Sequence, residues 1–267
     1  MAGNKPKYDL KCQPSRIWVE WNNCSRSNAL VGPHSLHMPV PLLLPLVLLT
    51  TASAFQLSYS RHFLRRTPVA MGVTVYGSQQ TRSPLVNWFL LERGIPFEQK
   101  PPRPSNHPFG QTPFLTDDGG VEVFESGAIL LYLQDAYGGG DAKTRAKYTK
   151  WVVWANSEFE SICFGHKMSG TQLEKPGRAV DTLENLLSTQ DFIVDNEFSV
   201  ADVAVASYLN YVPVFFRCNL ASRPHLVKYM VRCAEREAFR KAFGDEHTNV
   251  VLAKGKEWLA PKKSIFG

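Results

Sequence analysis

Two short segments carry residue types whose order can bind a small anionic peptide. One is Pro108-Phe-Gly-Gln111-Thr112-Pro113-Phe-Leu115, and the other is Val121-Glu-Val-Phe-Glu125-Ser126-Gly-Ala-Ile-Leu-Leu-Tyr-Leu133. Pro113 has no N–H, so it cannot pair as an ordinary ladder residue. If its bond to Thr112 is cis, the main chain of Thr112 turns outward with its polar groups free. Ser126 stands where a helix begins, and the unpaired N–H groups there attract carboxylates. One half of such a site pairs with a peptide main chain, and the other holds a carboxylate.

The elements that must position these segments can be read from pattern. Val73–Gly77 is a strand closed by glycine, and 78–82 a polar loop. Ser83–Arg93 is a helix, with Pro84 in its first turn, apolar residues at helical spacing and Gly94 at its end. A second strand covers Ile95–Gln99. The two strands and the helix of the opening segments follow, and Gly138-Gly139-Gly140 marks a boundary. Beyond it the chain reads as helices: Ala142–Phe164, with Trp151, Trp154 and Phe159; Gly177–Leu187; and a third opened by Ser199 with Asp202 three residues on, a capping box. Pro213 can kink that third helix.

These motifs resemble the glutathione transferase superfamily. Its thioredoxin-like domain carries a Pro-x-Gly-Gln-x-Pro turn and, after a short hairpin, a Glu-Ser-x-Ala-Ile helix start, and its second domain has a Ser/Thr-x-x-Asp box. The resemblance implies an α/β thioredoxin-like domain at 72–138 and an all-α domain at 139–267. It also implies glutathione as co-substrate, no metal, and a homodimer. Gln111, Thr112 and Pro113 would serve the glutathione main chain, and Glu125 and Ser126 its γ-glutamyl end.

The resemblance implies transfer of glutathione to an electrophilic, apolar acceptor or glutathione-dependent reduction of peroxides; either needs a thiolate, and a free thiol with pKa near 8.5 is mostly protonated at neutral pH. The resemblance implies a hydroxyl donor near the first helix. The loop Gly77-Ser-Gln-Gln-Thr-Arg-Ser83 offers Thr81 as the first choice, with Ser78 and Ser83 in reserve. It holds no Cys, which disfavours disulfide exchange. Arg82 either adds positive potential near the sulfur or is a solvated helix-start residue. The segment before Pro108 is proline-rich and too short for the helix found there in typical members, so His107, Arg103 or Lys100 would meet the glycyl carboxylate. Trp151, Trp154, Phe159, Tyr208, Tyr211, Phe215 and Phe216 could line an acceptor pocket, or simply form core. A non-catalytic glutathione or ligand carrier of the same fold is the competing reading.

Charge excludes other classes. The chain of 267 residues has 30 Lys/Arg and 24 Asp/Glu. Eight of those basic and two of those acidic residues fall in 1–71, leaving 22 of each sign for 72–267. The body therefore offers no basic stripe for nucleic acid. The five cysteines include no C-x-x-C pair, and no His/Asp/Glu cluster at metal spacing or phosphate loop occurs. The apolar run 38–54 ends in Ala-Ser-Ala and is short and proline-broken for a membrane span, which fits a secretory signal. Residues 55–71 are arginine-rich and acid-free, and begin with Phe55. Together they resemble the two-part presequence of complex plastids, which implies a plastid stromal protein without a stable membrane span. A plain secretory signal or a membrane anchor are the alternatives. On this reading translation starts at Met38 and 1–37 is an upstream extension.

Overall fold

The computed structural model describes residues 72–165 and 170–261; the expected presequence lies outside them. The first half is a four-stranded sheet with helices. Strand β1 (Val73–Tyr76) leads through a loop to α1 (Ser83–Glu92), followed by β2 (Phe97–Lys100), β3 (Phe114–Asp117), β4 (Glu122–Phe124) and α2 (Ser126–Leu133). The sheet order is β2-β1-β3-β4, with β1 parallel to β2 and antiparallel to β3. This is the thioredoxin-like arrangement. Residues 101–113 form no helix or strand, because the prolines among them remove donors and fix φ.

Helices follow: α3 (Ala142–Trp154), which runs through a π-helical turn (Ala155–Phe159) into α4 (Glu160–Phe164); then α5 (Arg178–Leu187), α6 (Val200–Phe215), α7 (Pro224–Ala234), α8 (Glu237–Phe243) and α9 (Asp245–Leu259). The α6 helix is the axis of this region. It is buried without interruption from Val200 to Pro213, as a helix that is apolar all round must be. Pro213 falls in its last turn, and the helix runs two residues beyond it.

The expected capping box forms. Ala201 N–H donates to Ser199 Oγ at 3.3 Å, and Ser199 N–H donates to Asp202 Oδ2 at 2.9 Å. Asp202 does more than cap. Fully buried, it also accepts from Ser199 Oγ (3.0 Å), from Ile193 N–H (2.9 Å) and from Tyr229 OH on α7 (3.1 Å). The two regions meet along α1, where Trp88 packs against Phe198, Phe239 and Phe243. Beside it, Arg236 grips both oxygens of Glu92 at 2.6 and 2.8 Å.

Ser199→Ala should lower stability by about 1 kcal/mol, the usual worth of a cap. Asp202→Ala strands several buried donors and should cost ~3 kcal/mol or more. Burial pushes the Asp202 carboxyl up to about 6, against the lowering effect of its donors. A folded-state pKa above the unfolded one means that this group's contribution is full at pH below 3.8 and lost as pH rises through about 6. Urea midpoints measured across that window should fall for the wild type relative to Asp202→Asn. Parallel curves would refute the assignment.

Candidate functional site

The loop between β1 and α1 is knotted by its own hydroxyls. Gly77 has φ 150°, and a Cβ there would lie 1.5 Å from Ser83 Oγ, so only glycine fits. Ser83 is buried and donates to Tyr76 O at 3.2 Å. Thr81 Oγ1 donates to Ser78 O (2.8 Å), accepts from the N–H groups of Ser78 and Ser83 (3.2 Å each) and lies 2.9 Å from Ser83 Oγ. Ser78 is half-buried, and its hydroxyl makes no hydrogen bond among the described residues.

The helical region holds this loop from outside. Tyr211 OH donates to Thr81 O at 3.3 Å. Arg82 forms an ion pair with Glu160, both half-buried, and its guanidinium lies 6.0 Å from the Tyr208 ring centroid. Arg82 is thus neither a solvated residue nor a charge reserved for the loop. Burial raises the Glu160 carboxyl despite the Arg82 guanidinium beside it.

The second half of the site is built at the end of β3. The Thr112–Pro113 bond is cis, and among the described residues the main chain of half-buried Thr112 has no hydrogen-bond partner. The β3–β4 register sets Phe114 against Phe124, the pair next to Pro113 on one side and Glu125 on the other. Glu125 is exposed, with φ 68°, a conformation rare for a non-glycine residue and a common mark of a working site. Ile129 N–H is bonded to Glu125 O. The N–H groups of Ser126, Gly127 and Ala128 precede that bond, so helix geometry gives them no acceptor.

Ser126 is only 3% exposed, and its hydroxyl donates across the seam to Asn156 Oδ1 at 2.9 Å. Tyr208 OH donates to the same oxygen at 2.7 Å, while Asn156 Nδ2 donates to Val152 O at 2.8 Å. Asn156 sits on the π-helical turn, a deformation often found at functional sites. Sequence reasoning missed it. The available signal was Gly127, whose Cβ would lie 2.8 Å from Asn156 Nδ2.

The remaining candidates fall elsewhere. His107 is buried among Phe109, Phe114 and Phe124 and accepts from Phe109 N–H at 2.9 Å. Burial lowers its pKa, against the raising effect of Glu125. It is a neutral strut, which leaves exposed Arg103 and half-exposed Lys100, 3.2 Å from Glu98, as the basic groups of that segment. Trp151 and Trp154 pack edge to face, Trp154 stacks on Phe159, and Tyr208 is fully buried.

Comparison with known proteins identifies the family and the fold. Residues 71–135 match the family model "Glutathione S-transferase, N-terminal domain", and residues 164–237 match "Glutathione S-transferase, C-terminal domain". Glutathione S-transferase F11 of Arabidopsis thaliana is 26% identical over 208 residues, which cover 64% of this chain and 97% of the relative. Elongation factor 1-gamma of Danio rerio is 27% identical over 155 residues, 52% of this chain; there the chain spans only about a third (35%) of the relative's length. Among solved structures, a glutathione transferase from Methylococcus capsulatus superposes with TM-score 0.57 at 20% identity, covering 67% of this chain and 99% of that one. Ure2p in complex with glutathione gives 0.54 at 20%, covering 65% and 93%. At these identities the structures establish the fold.

Gly127→Ala should drive a methyl into Asn156 and cost about 1–3 kcal/mol, as overpacking does. Thermal denaturation measures it, and an unchanged melting temperature would show that the contact at Asn156 is not tight.

Proposed function

The chain belongs to the glutathione S-transferase superfamily, and on that premise we propose that it binds glutathione and transfers it to an electrophile or uses it to reduce a peroxide. The observation that carries this reading is the unpaired main chain of Thr112 at a cis bond next to the Phe114–Phe124 pair, with the open N–H groups of Ser126, Gly127 and Ala128 two to four residues past Phe124. The main chain at Thr112 pairs with the glutathione peptide, and the α2 N-terminus takes the γ-glutamyl carboxylate. The hydroxyl of Ser126 is already given to Asn156, so the N–H groups carry most of that contact. Exposed Glu125 faces the ammonium group.

Ser78 is the better supported thiolate donor. Thr81 and Ser83 spend their hydroxyls inside the loop, whereas that of Ser78 is uncommitted. A hydroxyl donor lowers the thiol pKa by stabilising the negative sulfur. The same commitment of Thr81 and Ser83 favours a second reading, a glutathione-binding carrier or docking module without turnover. Import into a plastid is a further part of the proposal and rests on the composition of 38–71.

The experiment is glutathione titration of the full chain, followed by conjugation assays with an aryl halide. Ser78→Ala should lower kcat/KM about a hundredfold, the scale for loss of one charge-stabilising donor, with little change in glutathione affinity. Full activity in Ser78→Ala would reject the donor assignment, binding without turnover would select the carrier, and absence of binding would reject both.

We also propose a homodimer. Phe109 is 68% exposed on a turn closed by Gly110, and its ring is held edge-on by Phe124; a large exposed apolar side chain in a fixed pose suits an interface. Sedimentation should find Phe109→Ser shifted towards monomer, and an unshifted dimer would place the interface elsewhere.

A further inference from the structure

Asn156 fixes the direction of two protons beside the start of α2. Its Nδ2 donates to Val152 O at 2.8 Å. A main-chain carbonyl can only accept, so the amide cannot be turned the other way. The backbone of α2 lies against that amide, since a Cβ on Gly127 would stand 2.8 Å from Nδ2 and 3.5 Å from Oδ1. Oδ1 therefore faces the two hydroxyls, and it carries no hydrogen. Ser126 Oγ, at 2.9 Å, and Tyr208 OH, at 2.7 Å, must both donate to it. Tyr208 is fully buried, and burial raises its phenol pKa, so its proton stays on the ring oxygen. The Ser126 hydroxyl has its one proton committed and only lone pairs left.

Ser126 is the first residue of α2. Side chains of a helix tilt toward its N-terminus, so Ser126 Oγ lies over the same end as the open N–H groups of Ser126, Gly127 and Ala128. The two kinds of group call for opposite partners. The N–H groups suit a carboxylate, whereas an oxygen with only lone pairs suits an N–H donor. A γ-glutamyl group carries both, a carboxylate and an ammonium on one carbon. With Ser126 only 3% exposed, water competes little for that oxygen.

The surrounding charge agrees. Glu125 is exposed and has no ion pair among the described residues. Burial and then Glu125 raise the Glu160 carboxyl, but Glu160 is answered by Arg82. Burial lowers the pKa of His107 against the raising effect of Glu125, which leaves the imidazole neutral. One uncompensated negative charge stands next to Ser126.

We propose that Asn156 is a positioning residue: by drawing the Ser126 proton to itself it makes that hydroxyl an acceptor, and Ser126 with Glu125 selects ligands whose γ-glutamyl group bears a free ammonium. The proposal rests on the glutathione-binding reading and assigns the partners of the amine within that site. The opposite arrangement, a hydroxyl donating to the carboxylate, would leave Asn156 Oδ1 with Tyr208 alone.

Calorimetric titration of the full chain compares glutathione with glutaryl-cysteinylglycine, which keeps the carboxylate and lacks the amine. The wild type should bind glutathione about tenfold more tightly, the scale of one hydrogen bond to a charged group. Ser126→Ala changes little volume; it should weaken glutathione about tenfold and leave the analogue unchanged. Equal weakening of both ligands would put the hydroxyl on the carboxylate and overturn the proposal. Asn156→Leu should lower the preference for glutathione by about the same factor, because the freed hydroxyl can turn to the carboxylate that both ligands share. Asn156→Asp keeps the acceptor oxygens and should keep the preference. A preference unchanged in Asn156→Leu, or lost in Asn156→Asp, overturns the positioning role; if Asn156→Leu does not fold, Ser126→Ala and Asn156→Asp decide. Equal affinity of the wild type for the two ligands overturns the proposal alone, whereas no binding of glutathione rejects the glutathione reading and the proposal with it.

Discussion

Asp202 sits fully buried at the first turn of α6 and gathers donors from the cap, from the loop at Ile193 and from Tyr229 on α7. Those contacts fix where α6 lies along its own axis. Further along the same helix come Tyr208, Tyr211 and Phe215, three and four residues apart and therefore on one face. Tyr208 holds Asn156, which holds Ser126; Tyr211 holds the carbonyl of Thr81; Phe215 stacks on Tyr211. A slide of α6 would displace Ser126, the loop at Thr81 and the ring stack at Phe215 together. A carboxylate that burial makes costly to ionise is kept at the one place that sets the register for all three.

The seam between the two regions is polar where it meets the site and apolar where it does not. Near α1 the contacts are aromatic, with Trp88 among Phe198, Phe239 and Phe243. Around the site they are hydrogen bonds and the Arg82–Glu160 pair. A half-buried ion pair adds little net stability, because desolvation offsets attraction, but it specifies geometry. Here it fixes the residue immediately before α1. On the proposed reading, with Arg82 engaged by Glu160, the positive potential available to a sulfur anion comes chiefly from the N–H groups at the start of α1.

The parts that were legible in the sequence are those set by local chain chemistry. A proline that cannot donate, a Glu-Ser pair opening a helix, a Ser-x-x-Asp box and glycines at strand and helix ends each impose a local conformation, and each formed where its pattern placed it. Partners distant in sequence were not legible. Asn156 reads as a poor helix former within an otherwise helical run, and only the close approach of Gly127 turns it into a contact. Ser78, Thr81 and Ser83 offer the same functional group, so composition cannot rank them; the turn geometry that consumes two of them can. The aromatic run from Tyr208 to Phe216 could not be divided between core and pocket until the faces of α6 were known. His107 looked like a basic contact because its type is basic, yet the aromatic rings around it keep it neutral.

Recognition and chemistry depend on different kinds of group in this site. On the proposed reading, glutathione is held mostly by main-chain atoms, those of Thr112 and the first turn of α2, and these survive almost any side-chain change that preserves the fold. On the same reading, activation of the sulfur depends on one hydroxyl, which a single substitution removes. A fold of this kind can therefore keep its ligand while its reaction drifts or disappears. It follows that the informative positions in this chain are the side chains at 78–83, more than the motifs from Pro108 to Ser126 that announce the family.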